Sequence, residues 1–203
     1  MPTSNLALAP AVLHYCWEIV NEEAHPLPAR VLDVGVGTGK YGVLLREYCR
    51  HDLGVDGVEP EARYLDLYPW LDTLYGCVYR VPVEALPLTV LAAYDLLLMV
   101  DVLEHLDPIE GRAILDAIPC PVVVCTPREA FQNPECIDYP TEAHRSCWSP
   151  AAFGATGRLE RWDEDAWSAH GAVIVRLCAA GGGAWTGVSL PGGPMPDPIE
   201  VPA

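Results

Sequence analysis

Apolar runs of strand length alternate with helical patterns along this 203-residue chain. That alternation predicts an α/β fold, a parallel sheet with helices on both faces. Two further observations support it. The run Leu96 to Val100 is apolar at every position, as in a strand buried on both sides. The run Val31 to Val34 leads into three glycines at alternate positions, Gly35, Gly37 and Gly39. Such a strand-to-helix turn lets the backbone bend sharply and approach a ligand.

The elements run in this order. Residues 8–22 set Val12, Tyr15, Cys16, Ile19 and Val20 on one helical face, and His25-Pro26-Leu27-Pro28 ends that helix. The first strand is 30–34. Thr38 opens a helix over 38–50 that buries Tyr41, Leu44, Leu45, Tyr48 and Cys49. A strand at 54–58 precedes Pro60, which suits the first position of a helix reaching 68. Strand 76–80, a short helix at 87–93 and strand 95–100 come next. Asp107-Pro108-Ile109-Glu110 has the cap, the first-turn proline and the acidic residue of a helix start, and that helix ends near Ile118. Strand 121–125 is next, then a short helix begun by Ser149-Pro150 and ended by Gly154 or Gly157. Strands 158–162 and 172–178 bring the count to seven. Residues 1–180 read as one domain, and the Gly- and Pro-rich residues 181–203 as a loosely held tail.

Charge and cysteine usage bound the partners. Twelve basic residues against 28 acidic ones give a net charge of −16, and Lys40 is the one lysine. Such a surface repels a phosphate backbone, so nucleic acid is disfavoured, and a small molecule or a peptide fits better. No apolar stretch is long enough to span a bilayer, and the first residues lack a basic region ahead of an apolar core. The eight cysteines form no C-x-x-C pair and read as small core residues in a reducing cytoplasm. Nothing in the chain indicates an oligomeric state.

The segment Val31-Leu32-Asp33-Val34-Gly35-Val36-Gly37-Thr38-Gly39-Lys40 has Glu59 twenty residues after Gly39. A glycine turn followed by an acidic residue at the end of the next strand is a nucleoside-binding layout, the carboxylate gripping ribose hydroxyls. A phosphate-binding G-x-x-x-x-G-K-[ST] loop fails twice: Val34 replaces the first glycine, and Tyr41 follows Lys40. Gly37-Thr38-Gly39-Lys40-Tyr41-Gly42 spells a dinucleotide fingerprint but starts two residues late, with Gly42 inside the helix as a packing residue.

The segment D-V-G-x-G-x-G resembles the first motif of class I S-adenosylmethionine-dependent methyltransferases. Tyr94-Asp95-Leu96-Leu97-Leu98-Met99-Val100-Asp101-Val102-Leu103-Glu104-His105-Leu106 is similar to the fourth strand and following loop of that superfamily. Val122-Val123-Val124-Cys125-Thr126-Pro127 and His144-Arg145-Ser146-Cys147-Trp148-Ser149-Pro150 extend the likeness over roughly residues 28–178. The resemblance implies a seven-stranded, mostly parallel Rossmann-like sheet with an antiparallel last strand, and methyl transfer from S-adenosylmethionine. It leaves the acceptor open among small molecules and peptides, with oxygen slightly preferred. A non-catalytic binding protein on the same fold and an NAD-linked oxidoreductase are the alternatives.

By this resemblance Gly35, Gly37 and Gly39 pass under the methionine and ribose portion of the donor, Asp33 orients its amino group and Glu59 takes the ribose hydroxyls. Asp101 lies at the donor's edge. Many relatives carry Asp after the third strand for adenine. Here Pro82 stands in its place, and Glu84 is the substitute. Two branches, the small-RNA 2′-O-methyltransferases and the ubiquinone-pathway O-methyltransferases, carry E-x-x-E-H after the fourth strand and bind a divalent ion. Asp101, Glu104, His105 and His144 form the corresponding candidate metal set, suited to Mg²⁺, Mn²⁺, Fe²⁺ or Zn²⁺. Metal-free relatives also carry E-H there. His105 and His144 are therefore candidate catalytic residues with three readings: metal ligand, general base, or positioning. The acceptor must be held by the N-terminal helix, the loop after strand four and the long segment 126–148. Trp148 either lines that site or anchors the segment.

Overall fold

The computed structural model describes residues 6–21, 29–128, 140–165 and 172–179. The linker His25 to Pro28, Pro134, Cys136, His170, Trp167, Trp185 and the tail from Gly181 lie outside the described residues.

Seven strands form one sheet in the order β3-β2-β1-β4-β5-β7-β6. They are β1 (Arg30–Val34), β2 (Gly54–Val58), β3 (Val78–Tyr79), β4 (Leu96–Val100), β5 (Val122–Pro127), β6 (Leu159–Asp165) and β7 (Ala172–Leu177). The first five run parallel, and β7 is antiparallel to both of its neighbours, β5 and β6. The helices are α1 (Ala9–Val20), α2 (Lys40–Leu44), α3 (Ala62–Leu67), α4 (Leu71–Leu74), α5 (Leu88–Leu91), α6 (Pro108–Ala117) and α7 (Pro150–Gly154).

Because side chains alternate along a strand, β4 feeds two cores. Leu96, Leu98 and Val100 join α1 and α2 residues such as Val12, Cys16, Ile19, Tyr41 and Leu45 on one face. Leu97 and Met99 join Leu91, Leu115, Ile118, Trp148 and Phe153 on the other. The expected apolar face of α1 is buried throughout. The predicted caps of α6 and α7 also form: Asp107 accepts from the Ile109 N–H at 2.9 Å, and Ser149 Oγ from the Ala152 N–H at 3.3 Å.

Three local expectations are corrected. The second helix starts at Lys40, with Gly39 in the left-handed conformation at its cap, so Thr38 does not open it. Residues Leu45–Cys49 then take a π-helical turn closed by Arg50 N–H to the Leu45 carbonyl at 3.2 Å. The wider turn shifts the angular position of the residues within it, and Tyr48, expected in the core, is 64% exposed. Pro60 does not begin α3. Glu59 Oε1 accepts from the Glu61 N–H at 3.0 Å, and Glu61, in extended backbone, caps the helix through the Arg63 N–H. Finally, α3 ends at Leu67, close to the expected 68, and a further short helix that was not expected, α4, follows it.

Candidate donor and acceptor site

The site lies where β1, β2 and β4 end. Gly35, Gly37 and Gly39 have φ of 76°, 49° and 85°, a region that disfavours any residue with a Cβ. The turn is packed on two sides. A Cβ on Gly35 would meet Val102 Cγ2 at 2.5 Å, and one on Gly39 would meet Leu71 Cδ2 at 2.7 Å. The Trp70 indole N–H donates to the Thr38 carbonyl at 3.0 Å, tying α4 to the turn. Gly42 is a packing residue as expected, its missing Cβ leaving room for Tyr75 at 2.6 Å.

Glu59 is 5% exposed and braces the turn. Its Oε2 accepts from the Gly37 N–H at 3.1 Å and its Oε1 from the Glu61 N–H at 3.0 Å. Burial pushes its pKa up to about 6; the two N–H groups act the other way, and Glu142 and Glu61 add to the rise. Asp33 is 2% exposed, and the Tyr75 hydroxyl donates to its Oδ2 at 2.6 Å. Burial raises it to about 7, opposed by the Tyr75 bond and the Lys40 charge and helped by Glu59. Glu84 is exposed on the turn Val83–Ala85.

The acceptor end is assembled from two distant segments. Asp101, directly after β4, has φ of 52°, the one positive φ on a non-glycine among the described residues. Its N–H bonds the Cys125 carbonyl at 2.8 Å. The turn Leu103–His105 then points Glu104 inward. Glu104 is 2% exposed. The Thr126 hydroxyl donates to its Oε2 at 3.0 Å, while Oε1 is buried with no partner. Burial, with Asp101 adding, holds this carboxyl well above the ordinary range.

The segment 140–149, a 3-10 turn over Pro140–Glu142 followed by irregular chain, crosses this loop. The Arg145 and Ser146 N–H groups donate to the Glu104 carbonyl at 2.7 and 3.0 Å, and Ser146 Oγ donates to the Leu103 carbonyl at 3.0 Å. Trp148 anchors the segment: it is buried against Phe153 and Gly111, and its indole N–H bonds Ser146 Oγ at 2.8 Å. At its other end the Tyr64 hydroxyl donates to Glu142 at 2.9 Å and the Thr141 hydroxyl to Glu61 at 3.4 Å. The segment thus bridges α3 and the loop after β4.

This crossing brings His144 to His105, edge-on with ring centroids 4.9 Å apart. One ligand atom from each of Glu104, His105 and His144 lies within 4.8 Å of the others, and Asp101 is not in that group. His105 Nδ1 is 3.3 Å from the Ala143 carbonyl. A carbonyl only accepts, so in the tautomer that makes this bond Nδ1 carries the proton and Nε2 keeps its lone pair. Burial lowers the His105 pKa, so the ring is neutral near pH 7.

Tyr75, Tyr64, Thr126, Ser146 and Glu142 were not anticipated from the sequence. Thr126 closes a buried strand and could have been flagged as a polar residue needing a partner. The others carry no local signal. No helix among the described residues is long and apolar enough to cross a membrane.

No protein-family model and no curated protein matches the chain. Solved structures do. One is magnesium protoporphyrin IX methyltransferase from Synechocystis PCC 6803 with bound SAM, at 16% identity and a TM-score of 0.58 over 85% of this chain and 78% of that one. Another is the N-terminal domain of EvdMO1 with SAH bound, at 16% identity and 0.58, covering 87% and 82%. A third, described as a pericyclic reaction enzyme, matches at 16% identity and 0.55, covering 80% of this chain and 46% of that one. The strand order, the glycine turn and these similarities together establish that the chain has the class I S-adenosylmethionine-dependent methyltransferase fold.

Proposed function

We propose that this protein transfers the methyl group of S-adenosylmethionine to an oxygen of a small-molecule or peptide acceptor. The observation that carries the reading is the joining of two sites at neighbouring strand ends. The glycine turn is braced by a buried Glu59, and the Glu104–His105–His144 cluster sits beyond β4. Bound SAM and SAH in the similar structures support the donor, and the charge of −16 supports an acceptor other than nucleic acid.

Methyl transfer is an in-line displacement. A lone pair on the acceptor oxygen forms the new bond to the methyl carbon as the carbon–sulfur bond breaks, its electron pair returning to sulfur. The protein aligns the two reactants and excludes water. In this reading Glu59 accepts from the ribose hydroxyls, Asp33 faces the donor's ammonium group, and Asp101 lies between the donor and the cluster. Glu84 is the candidate adenine contact. Neutral His105 takes the acceptor's proton at Nε2, with His144 beside it.

The same three side chains fit a divalent ion. Glu104 Oε1 lacks a partner, His105 presents Nε2, and one carboxylate with two imidazoles suits Zn²⁺, Mn²⁺ or Fe²⁺. Such an ion would supply Lewis acidity toward the acceptor oxygen. Calorimetry with S-adenosylhomocysteine against NAD tests the donor. Binding of NAD alone would overturn the reading, and binding of S-adenosylhomocysteine without turnover on any acceptor would favour a non-catalytic binding protein.

A further inference from the structure

Asp33 is a buried carboxylate, 2% exposed. It shares a face of β1 with Val31, the face covered by α1 and α2, and its charge acts on Cys16 and Tyr41. An anion there requires a partner, because burial alone would drive it to pick up a proton. The partner is Tyr75, the residue that follows α4, forty-two positions along the chain.

The route of the phenol ring to Asp33 is cleared by two glycines. A Cβ on Gly42 of α2 would lie 2.6 Å from Tyr75 Cζ and Oη, and one on Gly57 of β2, which would first meet Val36 Cγ1 at 2.4 Å, would lie 3.3 Å from Cδ1. Neither glycine has a positive φ, so neither is required by its own backbone. Their common effect is a slot between α2 and β2 that admits the ring to full depth, leaving Tyr75 3% exposed. A phenylalanine would fill that slot equally well. The hydroxyl donates to Asp33 at 2.6 Å, the distance of a charge-assisted O–H···O⁻ bond, and its oxygen is in turn bonded by the Gly42 backbone N–H.

We propose that Tyr75 is a positioning residue of the donor site, its hydroxyl fixing the Asp33 carboxylate in anionic form for the donor's α-ammonium group. The proposal rests on the donor reading given above. Asp33 titrates among several charged or titratable neighbours. Glu59 faces it from the end of β2, Lys40 and Tyr41 from α2, Cys16 from α1 and Tyr75 from the end of α4. Glu59 itself titrates near 6, so donor affinity in the parent protein falls through two overlapping steps on acidification. Tyr75→Phe leaves the Glu59 step in place. The ratio of the two affinities therefore isolates Asp33.

The test is calorimetric titration of S-adenosylhomocysteine into the full chain and into Tyr75→Phe between pH 6 and 8.5. Loss of the hydroxyl raises the Asp33 pKa, so the acid limb of binding moves to higher pH. For a rise of about one unit, linkage gives a deficit of about tenfold at pH 6 that shrinks to less than about twofold at pH 8.5. Gly42→Ala, which crowds the ring and keeps the hydroxyl, should move the limb in the same direction. In the Asp33→Asn background, Tyr75→Phe should have no pH-dependent effect. A deficit equal at every pH, or an unmoved limb in both variants, would overturn the proposal and leave Tyr75 as a packing residue. A parent protein that binds no S-adenosylhomocysteine would remove the donor reading and this proposal together.

Discussion

The two ends of the site are built differently. At the candidate donor end the turn is built on strand ends adjacent in the sheet, β1 supplying Asp33 and the glycines and β2 supplying Glu59 with both of its oxygens bonded, and Trp70, Leu71 and Val102 pack against it. At the acceptor end Glu104 and His105 meet His144 only because a segment forty residues further on crosses the loop. There a buried carboxylate oxygen is left without a partner. Both oxygens of Glu59 are thus bonded before any ligand arrives, whereas the Glu104 carboxylate holds unsatisfied capacity. An uncompensated buried polar group costs about 1–3 kcal/mol, and such costs concentrate where chemistry needs them.

The largest expected effect breaks the donor end. Gly37→Val places a β-branched residue at φ of 49° beside the Glu59 brace. S-adenosylhomocysteine binding should disappear from calorimetry while circular dichroism reports a folded sheet. Retained affinity in a folded variant would move the donor elsewhere.

The acceptor end is broken next. His105→Ala should lower turnover by about 10²–10⁴-fold, the range for loss of a general base, with donor affinity unchanged. A chelator distinguishes the two uses of the cluster. If an ion is held, chelation stops turnover and His144→Ala does the same. If His105 acts as a free base, turnover resists the chelator. Only mild losses from both substitutions would reduce the pair to positioning.

A smaller effect sharpens the contrast. Glu59→Gln keeps the shape but replaces a charged acceptor with an amide, and donor affinity should fall by about 1–3 kcal/mol. Because the Glu59 pKa stands at about 6, the parent's affinity should weaken below that pH, and the variant should lose this component of the pH dependence. An effect confined to melting temperature would make Glu59 solely a brace for the turn at Glu61.

The smallest concerns stability without ligand. The folded pKa of Asp33, about 7, lies above its ordinary value of 3.8. The folded protein therefore binds a proton here that the unfolded chain has released, and this contribution is full below the unfolded pKa and lost as pH rises through about 7. Asp33→Asn removes that loss, so its melting temperature relative to the parent should rise between pH 5 and pH 8. The expected scale is roughly 2–4 °C for each kcal/mol recovered. A difference that stays constant with pH would show that Asp33 is ionised throughout this range.

Much of this protein was legible in its sequence, for local reasons. Strand β4 announces itself because a strand covered on both faces must be apolar at every position. The caps at Asp107 and Ser149 are read directly because a cap bonds an N–H two or three residues away. The glycine turn is legible likewise, since three glycines and the start of a helix are one continuous stretch. Where the sequence reading erred, the cause lay outside the pattern being read. Pro60 looked like a helix start, but Glu59 holds the Glu61 N–H and delays α3. Tyr48 fitted the apolar period, but the π turn puts it in solvent.

The chain by itself determined the α/β architecture, the glycine turn after β1 and the residue types gathered after β4. Tertiary structure alone decided that Tyr75 would reach Asp33, that Tyr64 and Thr141 would hold the crossing segment, and that Asp101 would stand outside the Glu104–His105–His144 group. The physical reason is range. Propensity, capping and periodicity act within a few residues. A side chain seated in a slot between a helix and a strand, or brought across a loop by a later segment, depends on packing that no short window of sequence contains.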